Sequence, residues 1–298
     1  MSVKQILLIF LFGSMLSYAQ KGELIYENDT IAIYESIVSK SSSENLFPYT
    51  YKNGLLYTSA HENGYYRLMF SDGVEKPKKI KISKRFQLGP VAIFQNEIYF
   101  TGMSRYMNVN GQPHLTILKG KIEDLKVTKV KELNGLIDGF TYAHATISPD
   151  GKTMVLVTNE NDVYHLLEFK RNENNEWERG KPIFITQLNF KILNPVFLGD
   201  NTIYFSANIF DGEQSNQQYE KVNGKMVLVG VERDNVSFNI FKIEKGNNNE
   251  WSIPLKVAAL SSDFDDLGVQ FIDEKSGYLS TYRYDDTNNI FYFEIKGI

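Results

Sequence analysis

Residues 150–158 read DGKTMVLVT, a tight turn followed by a short apolar run that ends in a hydroxyl residue. The same phrase returns four more times along the chain, at residues 53–58 (NGLLYT), 96–101 (NEIYFT), 200–206 (DNTIYFS) and 276–280 (SGYLS). Gly, Asn and Asp tolerate the backbone conformations that join antiparallel strands tightly. A phrase that recurs every few tens of residues indicates one supersecondary unit that has been copied.

The segments around each phrase complete a unit of four strands. An apolar segment precedes the turn, as at residues 89–94 (GPVAIF) and 194–198 (NPVFL), and a third strand and a more polar fourth strand, such as residues 80–82 in the first unit, follow the phrase. Four-stranded antiparallel units repeated around an axis make a β-propeller. The sequence therefore predicts an all-β protein, a β-propeller with five blades.

The two ends of the chain are expected to close the ring. The last unit stops after its third strand, at Ile295, and Thr30–Ser36 (TIAIYES) near the other end is a strand without a unit. Pairing the two would complete the final blade and remove exposed sheet edges, which invite aggregation. Six blades remain the alternative, with the sixth hidden in residues 20–46 or in an insertion.

That insertion lies between the third and fourth units. The tetrapeptide NNEW occurs in both units, at 174–177 and 248–251, and its spacing shows extra chain between Ser206 and Phe238. Residues 210–234 are expected to form a long loop or hairpin there, either solvated or in contact with a partner. Both tryptophans lie in the repeated tetrapeptide, where we expect them to cap the outer edge of a blade.

Residues 1–19 have the composition of an export signal. Lys4 supplies the basic start, Ile6–Phe12 the short apolar run, and Ser17 and Ala19 the small residues of a cleavage site. Residues 20–298 would then be a single propeller domain, with an uncleaved membrane anchor as the alternative. No other stretch is long and apolar enough for a transmembrane span. We expect a soluble, exported, periplasmic or secreted protein.

Composition limits the classes of partner. The chain has no cysteine, so burial rather than cross-linking must stabilise it. Its formal net charge is −4, which together with export argues against nucleic acid binding. The densest basic stretch, KPKKIK at residues 76–81 followed by Lys84 and Arg85, is interpreted as a solvated strand edge, since Lys and Pro protect such edges.

Residues 148–153 (SPDGKT), followed by an apolar strand and Thr158-Asn159, resemble the Pro-Asp-Gly repeat of TolB-type, WD40-like β-propellers of Gram-negative envelope proteins. The resemblance covers the whole chain after the signal, although only the third unit carries the full phrase. It implies a docking surface for an envelope protein or a glycan, in a protein that we expect to be a monomer.

A propeller usually binds its ligand at the rim where loops precede the first strand and follow the second strand of each blade. Eight residues are predicted at this rim as a candidate binding surface: Arg105, Tyr106, Tyr142, His144, Asp265, Asp266, Arg283 and Tyr284. For each of them, the alternative is an ordinary solvated or structural residue.

The sequence carries no catalytic signature, and we predict no catalytic residue, cofactor or metal. The four histidines lack the close spacing of metal ligands, and no phosphate-binding loop is present. The preferred function is a non-catalytic protein- or glycan-binding module of the cell envelope. The alternative is a secreted glycoside hydrolase of the five-bladed type. It would need two carboxylates that face one sugar bond, and only Asp265 and Asp266 lie at the entrance of an inner strand.

Overall fold

The computed structural model describes residues 21–60, 65–84, 86–108, 110–160, 163–186, 190–209, 216–222, 225–232, 237–284 and 289–296. The predicted signal at residues 1–19 lies outside these ranges, as does part of the insertion. Most of the described residues lie in strands, and Ala258–Leu260 form a 3-10 turn. None of them belongs to a helix long and apolar enough to cross a membrane.

In chain order the strands are β1 (Leu24–Glu27), β2 (Ile31–Glu35), β3 (Asn45–Tyr51), β4 (Gly54–Ala60), β5 (Tyr66–Ser71), β6 (Lys78–Lys79), β7 (Lys81–Ile82), β8 (Phe86–Phe94), β9 (Glu97–Met107), β10 (Pro113–Glu123), β11 (Lys126–Glu132), β12 (Tyr142–Ile147), β13 (Thr153–Thr158), β14 (His165–Arg171), β15 (Trp177–Ile185), β16 (Ile192–Leu198), β17 (Thr202–Ala207), β18 (Asn216–Val222), β19 (Lys225–Glu232), β20 (Asn239–Glu244), β21 (Leu255–Lys256), β22 (Asp266–Phe271), β23 (Ser276–Thr281) and β24 (Asn289–Ile295).

These strands build five blades. From the inside outward, blade 1 is β3-β4-β5-β6, blade 2 is β8-β9-β10-β11-β7, blade 3 is β12-β13-β14-β15, blade 4 is β16-β17-β20-β21, and blade 5 is β22-β23-β24-β2-β1. Each inner strand contacts the inner strands of both neighbouring blades, which closes the ring. The prediction of a five-bladed β-propeller is confirmed.

The predicted closure by the two ends is also confirmed. β2 pairs antiparallel with β24, with Ile31 opposite Ile295 and Glu35 opposite Phe291. β1 then adds a fifth strand outside β2. β1 and β2 therefore extend blade 5, and the described residues between 21 and 46 do not form a sixth blade. In the insertion, β18 and β19 pair with each other as a separate two-stranded hairpin.

The second strand of every blade contains an apolar run because both faces of that run are buried between blades. Successive side chains of a strand point to opposite faces. Thus Leu55 packs in the cluster shared with blade 5, whereas Leu56 packs in the cluster shared with blade 2. Five such clusters occur in the described structure, one at each junction between neighbouring blades. Each cluster contains side chains from the repeated apolar runs, so these runs supply much of the apolar contact that holds neighbouring blades together.

The hydroxyl that ends each repeated run is buried, and in three of the five runs it bonds the backbone of the next blade. Thr58 Oγ1 donates to the carbonyl of Gly89 at 2.8 Å, and Thr101 Oγ1 accepts from the amide of His144 at 3.1 Å. Ser280 Oγ accepts from the amide of Phe47 at 3.0 Å, which joins the last blade to the first. These bonds satisfy backbone groups that irregularities in the inner strands leave unpaired.

One predicted strand divides between two blades. Residues 80–82 were expected to form a single fourth strand. Instead Lys78–Lys79 pair with blade 1, whereas Lys81–Ile82 pair parallel to the edge of blade 2. The buried side chain of Ile80 marks the crossing, since it packs in the cluster between these blades. Burial of this one side chain is the physical reason for the change of blade.

The repeated NNEW tetrapeptide forms the same turn twice. Asn175 and Asn249 adopt positive φ angles of 63° and 62°. Trp177 is buried at the junction of blades 2 and 3, where its indole N–H donates to the phenol of Tyr99 at 2.9 Å. Trp251 is half-buried against the cluster between blades 3 and 4. Both indoles therefore have the structural role expected for them.

We expect Gly54→Ala to lower the free energy of unfolding by about 3 kcal/mol or more, because the new methyl has no space. A Cβ at this position would lie 2.2 Å from the carbonyl oxygen of Ser71. Gly199→Ala is the control: its Cβ would meet nothing within 4 Å, and its φ of +65° adds only strain of about 1 kcal/mol. Denaturant unfolding measures both, and equal losses would contradict the steric explanation.

Candidate functional site

A cleft of about 700 Å³ opens on the rim between blades 2 and 3. It is bounded by the end of β9, the start of β10, the end of β11 and the connection 133–141 that leads into β12. Three of the predicted rim residues line it, namely Arg105, Tyr106 and Tyr142. This is the place where the structure brings sequence-predicted residues together around an open volume.

The phenol of Tyr142 holds one wall of the cleft in place. The side chain is 1% exposed, and its oxygen accepts a hydrogen bond from the amide of Ile137 at 3.0 Å. The same phenol donates to the buried carboxylate of Glu160, which also binds Arg179. Burial, together with Glu160, raises the pKa of Tyr142 to about 12, so the phenol keeps its proton. Tyr142 therefore positions the 133–141 connection and does not present a free polar group.

Arg105 and Tyr106 form the exposed lip of the cleft. The Arg105 guanidinium lies over the ring of Tyr106, 4.8 Å from its centroid, and Tyr106 is 46% exposed. The backbone amide of Arg105 donates to Glu132 Oε1 at 3.0 Å. The same oxygen lies 3.9 Å from the side-chain Nε of Arg105. A cation stacked on an aromatic face at an open edge is a suitable first contact for a ligand.

His144 lies on the axis of the propeller, not on the rim. It is 7% exposed, and its ring meets the ring of Phe47 from blade 1 edge to face at 5.4 Å. Its Nδ1 accepts from the amide of Asn194 in blade 4 at 3.3 Å. Burial lowers the pKa of His144 to about 4, so the imidazole is neutral. The residue cannot contact a ligand at the surface.

Five inner strands converge around this histidine. Phe47, His144 and Asn194 have positive φ angles, and glycines take the neighbouring places in the other two blades. A Cβ on Gly268 would lie 2.4 Å from the side-chain nitrogen of Asn194, and one on Gly89 would lie 3.8 Å from the His144 ring. Three side chains and two glycines thus fill the axis at this level.

Asp266 and Arg283 form a buried ion pair between blades 4 and 5. Asp266 is fully buried, and Arg283 binds it with two nitrogens, Nε and Nη2, each at 2.9 Å. Arg283 also donates to the carbonyl of Leu260 at 2.7 Å. Burial raises the pKa of Asp266, and the hydrogen bonds from Arg283 oppose that rise. Through the bond to Leu260, the ion pair of blade 5 holds the segment that leaves blade 4.

Asp265 and Tyr284 flank this ion pair. Asp265 Oδ1 accepts from the amide of Phe238 at 2.8 Å, so its carboxylate has a structural role, which was the alternative for each rim residue. The ring of Tyr284 packs on Phe291, and burial raises the pKa of its phenol. Arg283 and Tyr284 also line a shallower cleft of about 350 Å³. Three of the eight predicted residues line the main cleft and two line this second cleft, whereas His144, Asp265 and Asp266 line neither, so the eight do not form one surface.

Sequence reasoning missed other residues of the main cleft. Lys84, His114, Lys131 and Phe140 line it. His114 is 8% exposed, and its Nδ1 has no hydrogen-bond partner among the described residues. Their spacing along the chain gives no signal, because they come from four separate segments that only the packing of blades 2 and 3 brings together.

The described carboxylates do not gather at the axis. Asp266 is the only Asp or Glu within the five inner strands, and Arg283 pairs with it. Glu132 and Asp138 line the main cleft. Within the described part of the chain, no three His, Asp or Glu side chains lie close enough to hold a metal ion.

Comparison with known proteins places the chain by its fold. No protein-family model matches it, and no curated protein matches its sequence. The PQQ-bound aldose sugar dehydrogenase of Streptomyces coelicolor aligns with 89% of this chain and 98% of its own, at 9% identity and a TM-score of 0.51.

Two further solved structures are less similar. A thermostable family-43 glycoside hydrolase aligns with 85% of this chain and 88% of its own, at 11% identity and a TM-score of 0.49. TolB of Acinetobacter baumannii aligns with 89% of this chain and 61% of its own, at 14% identity and a TM-score of 0.44. At such identities only the fold is informative. The chain is a five-bladed β-propeller whose likeness to known propellers does not extend to a particular activity.

Proposed function

We propose that the protein is an exported, non-catalytic binding module of the cell envelope that takes a protein or glycan partner in the cleft between blades 2 and 3. The observation that carries the proposal is the contrast between the axis and this cleft. Phe47, His144 and Asn194 fill the axis, whereas the cleft is open and has Arg105 and Tyr106 at its lip. A ligand would therefore engage the rim.

The composition of the cleft suits recognition. Aromatic side chains supply apolar contact area at low entropic loss, and arginine supplies directed hydrogen bonds. Tyr106 and Phe140 contribute the aromatic surface, and Arg105 the charged group. The connection 133–141 is held by Tyr142, so one wall of the cleft is ordered before a partner arrives. Such preorganisation lowers the entropic loss on binding.

A secreted glycoside hydrolase is the second candidate, because two carboxylates, Glu132 and Asp138, line the same cleft. A hydrolase needs one carboxylate as an acid and one as a base or nucleophile. The engagement of Glu132 with the Arg105 amide makes it a less available group for this chemistry. Release of sugar from a polysaccharide, abolished by Glu132→Gln, would establish this alternative.

We expect Tyr106→Ala to weaken binding at least tenfold, because removal of an aromatic anchor costs about 2 kcal/mol at a binding hot spot. The partner is first identified by applying the purified protein to an immobilised glycan panel and to solubilised envelope extract. Titration with that partner then compares the variant with the wild type.

Phe264→Ala is the matched control, since Phe264 is an aromatic residue of similar exposure, 54%, in the shallower cleft near Arg283. Unchanged affinity in Tyr106→Ala, or an equal loss in both variants, would contradict binding at the blade 2–3 cleft.

A further inference from the structure

Two lysine-rich segments that are distant in the sequence lie side by side on blades 1 and 2. The parallel pairing of β7 with β11 places Lys81 directly beside Lys126. Like charges directly opposite each other on neighbouring strands are destabilising. The exposed lysines of the combined patch are Lys76, Lys78, Lys79, Lys81 and Lys84 from the first segment, and Lys126, Lys129 and Lys131 from the second.

Few carboxylates neutralise this patch. Lys78 pairs with Glu75, and the hydrogen bond to this carboxylate raises the pKa of Lys78. Asp124 is 4.0 Å from Lys52, outside the patch. Within the described structure, none of the other patch lysines has a carboxylate oxygen within 4.0 Å of its Nζ. Glu75 and Glu123, the cross-strand neighbour of Lys126, lie among these lysines, and the patch is still predominantly basic in a protein of net charge −4.

The patch adjoins a groove. A second cleft, of about 260 Å³, lies between blades 1 and 2 and is lined by Arg67, Lys79 and Lys84. Lys84 also lines the larger cleft between blades 2 and 3, so the two clefts are neighbours that share this residue, and we call them together the groove. Five cations line the groove, Arg67, Lys79, Lys84, Arg105 and Lys131, against the two carboxylates Glu132 and Asp138.

Each of the two clefts contains an exposed aromatic ring beside its cations. Tyr65 is 54% exposed and lines the smaller cleft, whereas Tyr106 is 46% exposed and lines the larger one. An aromatic face gives the apolar C–H face of a sugar ring a place to stack. Lys and Arg form charge-assisted hydrogen bonds with carboxylate and sulfate groups.

Building on the proposed function, we propose that this groove across blades 1, 2 and 3 binds an acidic polysaccharide chain that carries carboxylate or sulfate groups. Two neighbouring clefts that share a lining residue fit a ligand long enough to occupy both, and the presence of rings and cations in each fits sugars that bear negative charge. The interpretation of Lys76–Lys81 as a solvated strand edge accounts for the first lysine segment alone. It does not account for the second segment brought against it.

The test uses dextran sulfate and neutral dextran, which share a backbone and differ in charge, with polygalacturonate as a carboxylate probe. Calorimetric titration of the full protein is expected to detect binding of both anionic chains and none of neutral dextran. Affinity should fall at least tenfold between about 50 mM and 200 mM NaCl, because salt screens exposed charges.

Lys79→Gln, Lys84→Gln and Lys131→Gln together are expected to weaken binding of dextran sulfate at least tenfold. The control is Lys181→Gln, Lys191→Gln and Lys275→Gln, which removes the same charge from exposed lysines on blades 3, 4 and 5. An equal loss in both triple variants would overturn the groove as the site, since only net charge would then matter.

Two further outcomes distinguish the ligand classes. Poly-L-glutamate bound as tightly as polygalacturonate, with no effect of Tyr65→Ala or Tyr106→Ala on either, would overturn a polysaccharide in favour of an acidic protein. Binding of an uncharged partner that is weakened by Tyr106→Ala would contradict an acidic ligand. It would still support the proposed function, because the cleft would be the binding site. Failure of every glycan and every envelope protein to bind would reject both.

Discussion

Replacement of Arg283 by methionine is expected to lower the free energy of unfolding by about 3–5 kcal/mol at neutral pH, because it leaves the charge of Asp266 buried and unpaired. Asp266 is fully buried, and Arg283 supplies two nitrogens to its carboxylate. The same guanidinium holds the carbonyl of Leu260 in the segment that leaves blade 4. The change therefore weakens the junction of two blades. Denaturant unfolding followed by tryptophan fluorescence measures it.

The pH dependence of this loss identifies its cause. Burial raises the pKa of Asp266, and removal of Arg283 takes away an opposing interaction, so the folded-state pKa rises further in the variant. An acid with a raised folded-state pKa loses stability as pH rises from its unfolded pKa toward its folded pKa. The difference between wild type and variant should thus be larger at pH 8 than at pH 5.

The matched control is the double variant Asp266→Asn with Arg283→Met, which removes both charges. It is expected to be more stable than Arg283→Met alone, because no unpaired charge remains. A double variant that is less stable than the single one, or a loss independent of pH, would show that Arg283 acts through packing only.

The wild-type protein is expected to lose about 2 kcal/mol of stability between pH 7.5 and 5 through His144 alone. The residue is buried on the axis, and its folded-state pKa is about 4, below the ordinary value of 6.5. Between these two pKa values, His144 is therefore protonated in the unfolded chain and neutral in the folded protein. Stability from this group is complete above pH 6.5 and declines as pH falls toward 4. Unfolding curves across this range measure it.

His144→Asn separates this contribution from the other titrating groups. Asparagine tolerates the positive φ of 54° at this position, and its carbonyl oxygen can accept from the amide of Asn194 as Nδ1 does. The variant loses ring contacts with Phe47, so its stability at pH 7.5 is lower. Its decline between pH 7.5 and 5 should be smaller than that of the wild type by about 2 kcal/mol. Parallel curves would contradict a neutral His144 in the folded protein.

Much of the fold follows from short segments of the chain. The phrase DGKTMVLVT and its four relatives predict the second strand of each blade, because a strand segment that is buried on both faces reads as a continuous apolar run. The hydroxyl at the end of each phrase is buried, and in Thr58, Thr101 and Ser280 it bonds the backbone of the next blade. The one strand assigned wrongly, at residues 80–82, depends on Ile80 crossing between blades, which no local pattern reveals.

The candidate site was predictable only in part. Arg105 and Tyr106 lie at an open cleft, as residues of a rim loop were expected to do. Asp266 and Arg283 come from similar loops, yet they neutralise each other in the interior. The difference lies in which partner each side chain meets across a blade junction, and those partners are distant in the sequence.

The sequence by itself determined the all-β class, the number of blades and the closure of the ring by Thr30–Ser36. These properties depend on local periodicity and turn chemistry, which are written in consecutive residues. Only the tertiary structure decided that Phe47, His144 and Asn194 fill the axis, and that two lysine segments join beside a groove. Burial and electrostatic potential at those places arise from residues on different blades, and the packing of the blades sets the distances between them.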